Sequence, residues 1–299
     1  MDCFTTPVTA RRKAPWPSIA LALTLTLSVN AFAQSTPTTH TATHNIQAMS
    51  TDKQVTAFFY QNPVLLDREQ HKGLHLKALN ASFAAKNQAV PLVAAEFAAA
   101  SQDYPIIFNK SADGTWGALA LTGLQPNTNA FVDAKGQWGA RYVPASVRRY
   151  PFILAEGPEQ KLSLAVDMAA TETGGTGPAL FTDKGEASEF ANKIMPMLAD
   201  FQSQAKQTAD MGKTLEGAGV LVQQNLQVRL NKEQQANVEG VWLVDEAKLR
   251  ALPDDKVLAL FKNGELAAVY AHMLSLRNLL PLLERSQPAI VKPRKTKDK

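Results

Sequence analysis

Cysteine is almost missing from this chain of 299 residues; the one example is Cys3. A disulfide framework is therefore excluded, as is a metal site built from several thiolates. Once the first residues are removed, no thiol nucleophile remains, and such a body is compatible with an oxidising compartment. A basic excess on the body is also missing. The formal charge is +4, but residues 1–33 hold three basic side chains against one acidic, and 292–299 hold five against one. Between them lie 23 basic and 25 acidic residues. A nucleic-acid-binding domain carries its positive charge on the body, so that class is disfavoured. Beyond the N-terminus no stretch reads as long and apolar enough to cross a bilayer, which needs about 20 residues. Three catalytic or nucleotide-binding signatures are absent as well: the G-x-S-x-G elbow, the G-x-x-x-x-G-K-[ST] loop and the H-E-x-x-H pair. No metal or cofactor is called for.

What is present begins with a secretory leader. Arg11, Arg12 and Lys13 precede a short apolar run from Ile19 to Val29, and Ala31-Phe32-Ala33 is the small-x-small pattern of a cleavage site, leaving Gln34 first. This order predicts a signal peptide over 1–33, a linker over 34–55 and a periplasmic or secreted protein. A start at Met49, where globular patterning opens, is the alternative and makes the chain cytoplasmic. A single domain is expected over 56–287, followed by a solvated basic tail over 288–299.

With 45% hydrophobic and 19% charged residues, the body can form a core. Phe58–Leu66 reads as an extended entry segment. Val90–Val93 reads as a strand, Ala94–Asp103 as a short helix ending before Pro105, and Ile106–Phe108 as a strand. Asp113-Gly114 and Lys135-Gly136 are turn dipeptides. "WGALALTGL", "NAFVDA", "FILAE" and "KLSLAVD" read as strands at hairpin spacing, so the sheet is antiparallel. "TETGGTGP" (171–178) reads as a mobile loop. Ser188–Leu215 has helical periodicity with Pro196 inside it and Gly217 and Gly219 closing it. "VLVQQNLQVRL" and "VEGVWLVDE" form a hairpin. The remainder is helical with one break at Asn263-Gly264, its last helix burying Leu266, Val269, Tyr270, Met273, Leu276, Leu280 and Leu283. The fold class is α+β: an antiparallel sheet of short hairpin-connected strands with a helical C-terminal third.

Candidate chemistry is sparse. His71 and His75 are four apart, but Gly73 separates them and Lys72 stands where the metalloprotease glutamate belongs, so two surface histidines are the simpler reading. His272 reads as a packed, hydrogen-bonded core histidine. Glu96, among alanines, is a buried carboxylate in need of a partner. "ARYVPASVRRYPFIL" (140–154) is the densest stretch, with Arg141 and Tyr142 ahead of a short helix, Ala145 to Tyr150, that Pro144 opens and Pro151 ends and that carries Arg148, Arg149 and Tyr150. Guanidinium groups beside tyrosines suit a carboxylate or phosphate ligand. They also suit buried ion pairs with Glu96, Asp103 or Asp167, and that structural reading comes first. Together with Glu96, these five residues are the candidate ligand site.

"FYQNPVLLDREQHKGLHLK", "VPLVAAEFAAASQDYPIIFNK", "FVDAKGQWGARYVPASVRRYPFILAE" and "VYAHMLSLRNLLPLL" together resemble the SapC family of bacterial proteins, from about Phe58 to Leu283. The resemblance implies association with surface-layer systems and proximity to TonB-type nutrient uptake, and it brings no catalytic residues. Many members begin near the equivalent of Met49, so the leader departs from the pattern. The expectation is a non-catalytic accessory or binding protein of the cell envelope with an envelope or surface-layer protein partner. The alternative is a soluble enzyme or ligand-binding protein that takes a small anionic ligand through residues 141–150.

Overall fold

The computed structural model describes residues 59–156, 162–229 and 235–286. The leader, the linker, Met49 and the basic tail lie outside the described residues. In chain order, β1 is Pro63–Leu65, β2 Leu74–Leu76 and β3 Ala89–Leu92. A 3₁₀ turn, Ala94–Glu96, runs into α1, Phe97–Ala100. β4 (Ile106–Lys110) and β5 (Trp116–Leu121) follow as a hairpin, turned at Gly114 with φ +84°. α2, Ala145–Arg148, leads into β6 (Phe152–Glu156), β7 (Leu162–Asp167) and β8 (Thr171–Thr173). Next come α3, Glu189–Gly217, and the β9 (Leu221–Arg229) and β10 (Gln235–Val244) hairpin. α4 (Glu246–Arg250), α5 (Asp254–Lys262), α6 (Glu265–Ser275) and α7 (Leu279–Arg285) are the last elements among the described residues.

Every strand pairing is antiparallel, and the fold is α+β as expected. Among the described residues the strands form three sheets: β3-β5-β4-β10-β9, β1-β7-β6, and the pair β2-β8. Two cores follow. Phe97, Phe108, Trp116, Leu215 and Val269 belong to the larger, on the five-stranded sheet. Leu74, Phe152, Val166, Leu180 and Leu198 form the smaller, on the three-stranded one.

α3 joins the two. Its 29 residues span roughly 44 Å at 1.5 Å per residue. Ser188 caps it, its Oγ accepting from Ala191 N at 3.1 Å, which contributes about 1 kcal/mol. Phe190, Ile194 and Leu198 pack into the smaller core, whereas Phe201, Met211 and Leu215 pack into the larger. Gly212 lets the helix lie directly on β5, because a Cβ there would sit 2.4 Å from Trp116 Cβ. Trp116 Nε1 and Lys110 Nζ both donate to Glu216, tying the helix end to the β4–β5 hairpin.

Several expectations are corrected. "NAFVDA" is not a strand but a single bridge, Val132 to Trp138, because Asp133 Oδ1 accepts from Lys135 N and Gln137 N and winds the chain into a turn. The loop 171–178 is tied down. Thr171–Thr173 pair with β2, His75 Nδ1 lies 2.8 Å from Gly177 O, and Gly177 runs so close to Leu76 that a Cβ would meet its carbonyl oxygen at 1.9 Å. The C-terminal helical run breaks at 251–253 before Pro253 as well as at Asn263-Gly264, and a 3₁₀ turn, Leu276–Asn278, separates α6 from α7.

The apolar stripe expected on the last helical stretch is met at Val269 and Leu283, which are buried, and at Leu266, Met273 and Leu276, which are partly buried against the core, but not at Tyr270 and Leu280. Val269, His272, Ser275, Leu282 and Leu283 are buried, while Tyr270 and Leu280 are 52% and 62% exposed. The buried stripe passes through polar His272 and Ser275, which a hydrophobic count skips. Glu265–Arg285 is, by length and composition, one stretch long and apolar enough to cross a membrane, with mean hydropathy 1.3. That overturns the expectation that no later stretch qualifies. Its first part, α6, packs against β4 and β10, and α7 contacts β9.

Candidate functional site

Residues 141–150 cross the junction between the two sheets, and three carboxylates pin them. Asp103 holds the entry: Oδ2 accepts from Arg141 N and Tyr142 N, both at 3.1 Å, and Oδ1 lies 3.6 Å from Arg141 Nε. Glu96, 5% exposed, holds the middle. Its Oε1 accepts from Tyr142 Oη at 2.7 Å and from Ala145 N at 2.6 Å, and its Oε2 accepts from Val93 N at 3.0 Å. One carboxylate thus caps both the 94–96 turn and α2, as favours negative charge at helix starts. Ser146 Oγ adds a 2.7 Å bond to Pro91 O. Asp167, fully buried, holds the exit. It accepts from Tyr150 Oη at 3.2 Å and from the backbone of Gln61, Asn62 and Ala169. Tyr150 also stacks on Phe83 at 3.8 Å.

Between this segment and α3 lies a cavity of about 290 Å³. One wall is Glu96, Tyr142, Arg148 and Arg149, with Ala95 and Ala145 beside them. The other is Met197, Asp200, Phe201 and Gln204 of α3. These four follow the i, i+3, i+4, i+7 spacing of one helical face, at the point where α3 passes from one core to the other. Arg149 is buried with its guanidinium 4.3 Å from the Phe201 ring centroid. Arg148 is exposed; its Nε donates to Val143 O at 3.0 Å and its Nη2 to Tyr142 Oη at 3.3 Å. Asp200 Oδ2 accepts from Gln204 Nε2 at 2.8 Å. Burial, and then the Glu96 carboxylate, push the Tyr142 phenol up to about 12, so it stays protonated and donates.

The SapC family model matches residues 66–282, well over half of the chain. The chain belongs to the SapC family. No curated protein and no solved structure matches it. Two of the four stretches that carry the family resemblance supply one wall of this cleft, and the α3 face opposite lies within the matched span.

Of the six candidate residues in this SapC chain, the structure brings together Glu96, Tyr142, Arg148 and Arg149. Arg141 and Tyr150 fall outside the cavity: Arg141 lies on Asp103 and Tyr150 on Asp167 and Phe83. Of the three carboxylates considered as arginine partners, Asp103 takes Arg141, whereas Glu96 is satisfied by a phenol and two backbone N–H groups. Asp200 and Gln204 were not foreseen. Their signal was present as a mixed M-x-x-D-F-x-x-Q stripe on a helix face that otherwise reads as core.

The three described histidines bond to nearby backbone groups. Burial holds His272 down to about 4, so it is neutral; its Nδ1 lies 2.9 Å from Ile106 O and its Nε2 accepts from Val244 N at 3.1 Å. Ser275 Oγ accepts from Ile106 N at 2.8 Å. β4 and β10 share a single paired position, Trp242 with Phe108, and α6 supplies bonds where that ladder stops. His71 Nδ1 accepts from Asp67 N in a turn while His75 lies on β2, so they share no helix face. Among the described residues no cluster of metal-ligating side chains forms.

Proposed function

We propose that this SapC-family chain is a non-catalytic binding protein of the bacterial cell envelope that seats a small anionic group in the cleft between residues 142–149 and α3. Its service is to surface-layer assembly or TonB-type uptake. The observation that carries the binding role is the placement of the Arg148 guanidinium on a cavity of about 290 Å³, near the small end of the roughly 300–1,000 Å³ of ligand clefts. Two features support binding without turnover. Glu96 accepts three hydrogen bonds from the protein, and the Tyr142 phenol is bonded to it and pushed far from the neutral range in which acid–base catalysts work. The envelope assignment rests on the leader and on what family resemblance implies.

Calorimetric titration with a panel of small carboxylates and phosphates tests the binding half. Arg148→Ala is expected to weaken any bound anion by about tenfold or more. Equal affinity in both proteins, or turnover of a panel member, overturns it. The N-terminal residue and cell fraction of the native protein test the other half: Gln34 in the periplasm supports it, and Met49 or Ser50 in the cytosol overturns it.

A further inference from the structure

We infer that the cleft takes a zwitterion of the amino-acid class, with its carboxylate on Arg148, its ammonium on Asp200 and an apolar side chain against Phe201 and Met197. The inference rests on the proposed ligand seat and names what fills it. Four charged side chains line the cavity, two guanidiniums and two carboxylates, so the cleft as a whole is balanced. Two of the four are engaged inside the wall: Glu96 by its three donors, and Arg149 over the Phe201 ring. The other two face each other's side of the space from separate elements, Arg148 from α2 and Asp200 from α3. Among the described residues, neither is in an ion pair, with the other or with anything else.

Both are held in place rather than collapsed together. Arg148 is fixed through Nε and Nη2 to Val143 O and Tyr142 Oη, and its guanidinium lies 5.8 Å from the Tyr142 ring centroid. Among the described residues its Nη1 has no acceptor. Asp200 is fixed through Oδ2 to Gln204, and among the described residues its Oδ1 has no donor. A lone anion on Arg148 would lie in the field of Asp200 and be opposed by it. A molecule with charges of both signs gains from each wall. Met197, 39% exposed, and buried Phe201 supply apolar surface on the same helix face as Asp200. The volume admits one amino acid more readily than a peptide.

The test is calorimetric titration of the protein with L-leucine, with 4-methylpentanoate, which lacks the ammonium, and with 3-methylbutylamine, which lacks the carboxylate; L-methionine and L-phenylalanine extend the probe set. At least one of the three amino acids is expected to bind, and leucine at least about tenfold more tightly than either analogue. Asp200→Asn is expected to bring leucine down to the level of 4-methylpentanoate, and Arg148→Gln to the level of the amine. Both side chains are exposed, and circular dichroism of each variant checks that the fold is kept. If 4-methylpentanoate binds as tightly as leucine, the zwitterion is overturned while the anion seat stands. If the amine binds as tightly, both readings fall. If none of the three amino acids binds, the zwitterion is overturned, and the carboxylate and phosphate panel alone decides the anion seat.

Discussion

Glu96 and His272 are both buried titratable groups beside the five-stranded sheet, and the protein uses them differently. His272 has both ring nitrogens committed to backbone groups of β4 and β10, with the Phe108 ring 5.0 Å away. Glu96 is equally satisfied, but its partners, Tyr142 and the start of α2, carry Arg148 to the edge of a cavity. Burial of an ionisable group is thus no pointer to function by itself. What separates the two regions is whether the group's neighbours face open space.

The sharpest break in the comparison is His272→Leu. It strands two buried backbone groups, Ile106 O and Val244 N, at about 1–3 kcal/mol each. Chemical denaturation is expected to show a loss of about 3–5 kcal/mol. Leucine affinity at the cleft is expected to stay within twofold in the folded fraction.

Acid acts on the same region. The unfolded chain protonates His272 near 6.5, whereas the folded protein resists until about 4. Stability from this group is therefore complete above about pH 6.5 and lost as pH falls toward 4, amounting to about 3 kcal/mol. Denaturation midpoints measured from pH 7 to 4 should show that slope. His272→Asn should flatten it.

Glu96→Gln sharpens the other side of the comparison. Gln offers one acceptor where Glu offers two, so at least one of the Val93 N, Ala145 N and Tyr142 Oη donors loses its partner, at about 1–3 kcal/mol. The Tyr142 phenol should then titrate lower. It should remain above its ordinary value of 10.0, because burial, the largest single cause, is left in place. Ultraviolet titration of wild type against the variant reads this directly.

Much of the architecture was legible because local physics dictates it. Turn glycines, alternating strands, the capped and periodic α3 and the short helix between Pro144 and Pro151 each depend on neighbours in sequence. The cleft was half legible. Arg148 and Arg149 announce themselves by composition, but which acidic group each meets is a matter of tertiary placement, and Glu96 turned out to bind a phenol and backbone rather than a guanidinium. Asp200 was missed because Met197 and Phe201, its neighbours on the helix face, read as core. Tyr150 misled for the opposite reason: its partners Phe83 and Asp167 are distant in sequence, so nothing local marked it as packed. The same blindness placed Tyr270 and Leu280 inside, since an apolar count cannot see that His272 and Ser275 own the buried face.

The smallest expected effect on stability is the most informative for function. Arg148→Gln removes an exposed side chain whose protein contacts are one carbonyl, one phenol and an aromatic face, so denaturation should move by no more than about 0.5 kcal/mol. Asp200→Asn should be as mild, since Asn keeps an acceptor for Gln204. Two substitutions that barely touch the fold but each abolish one half of a ligand's recognition would separate this cleft from the His272 region, where every change is felt first as lost stability. If instead Arg148→Gln destabilised the protein as much as Glu96→Gln, the arginine would belong to the pinning network, and the cavity beside it would be a packing defect at the junction of two sheets.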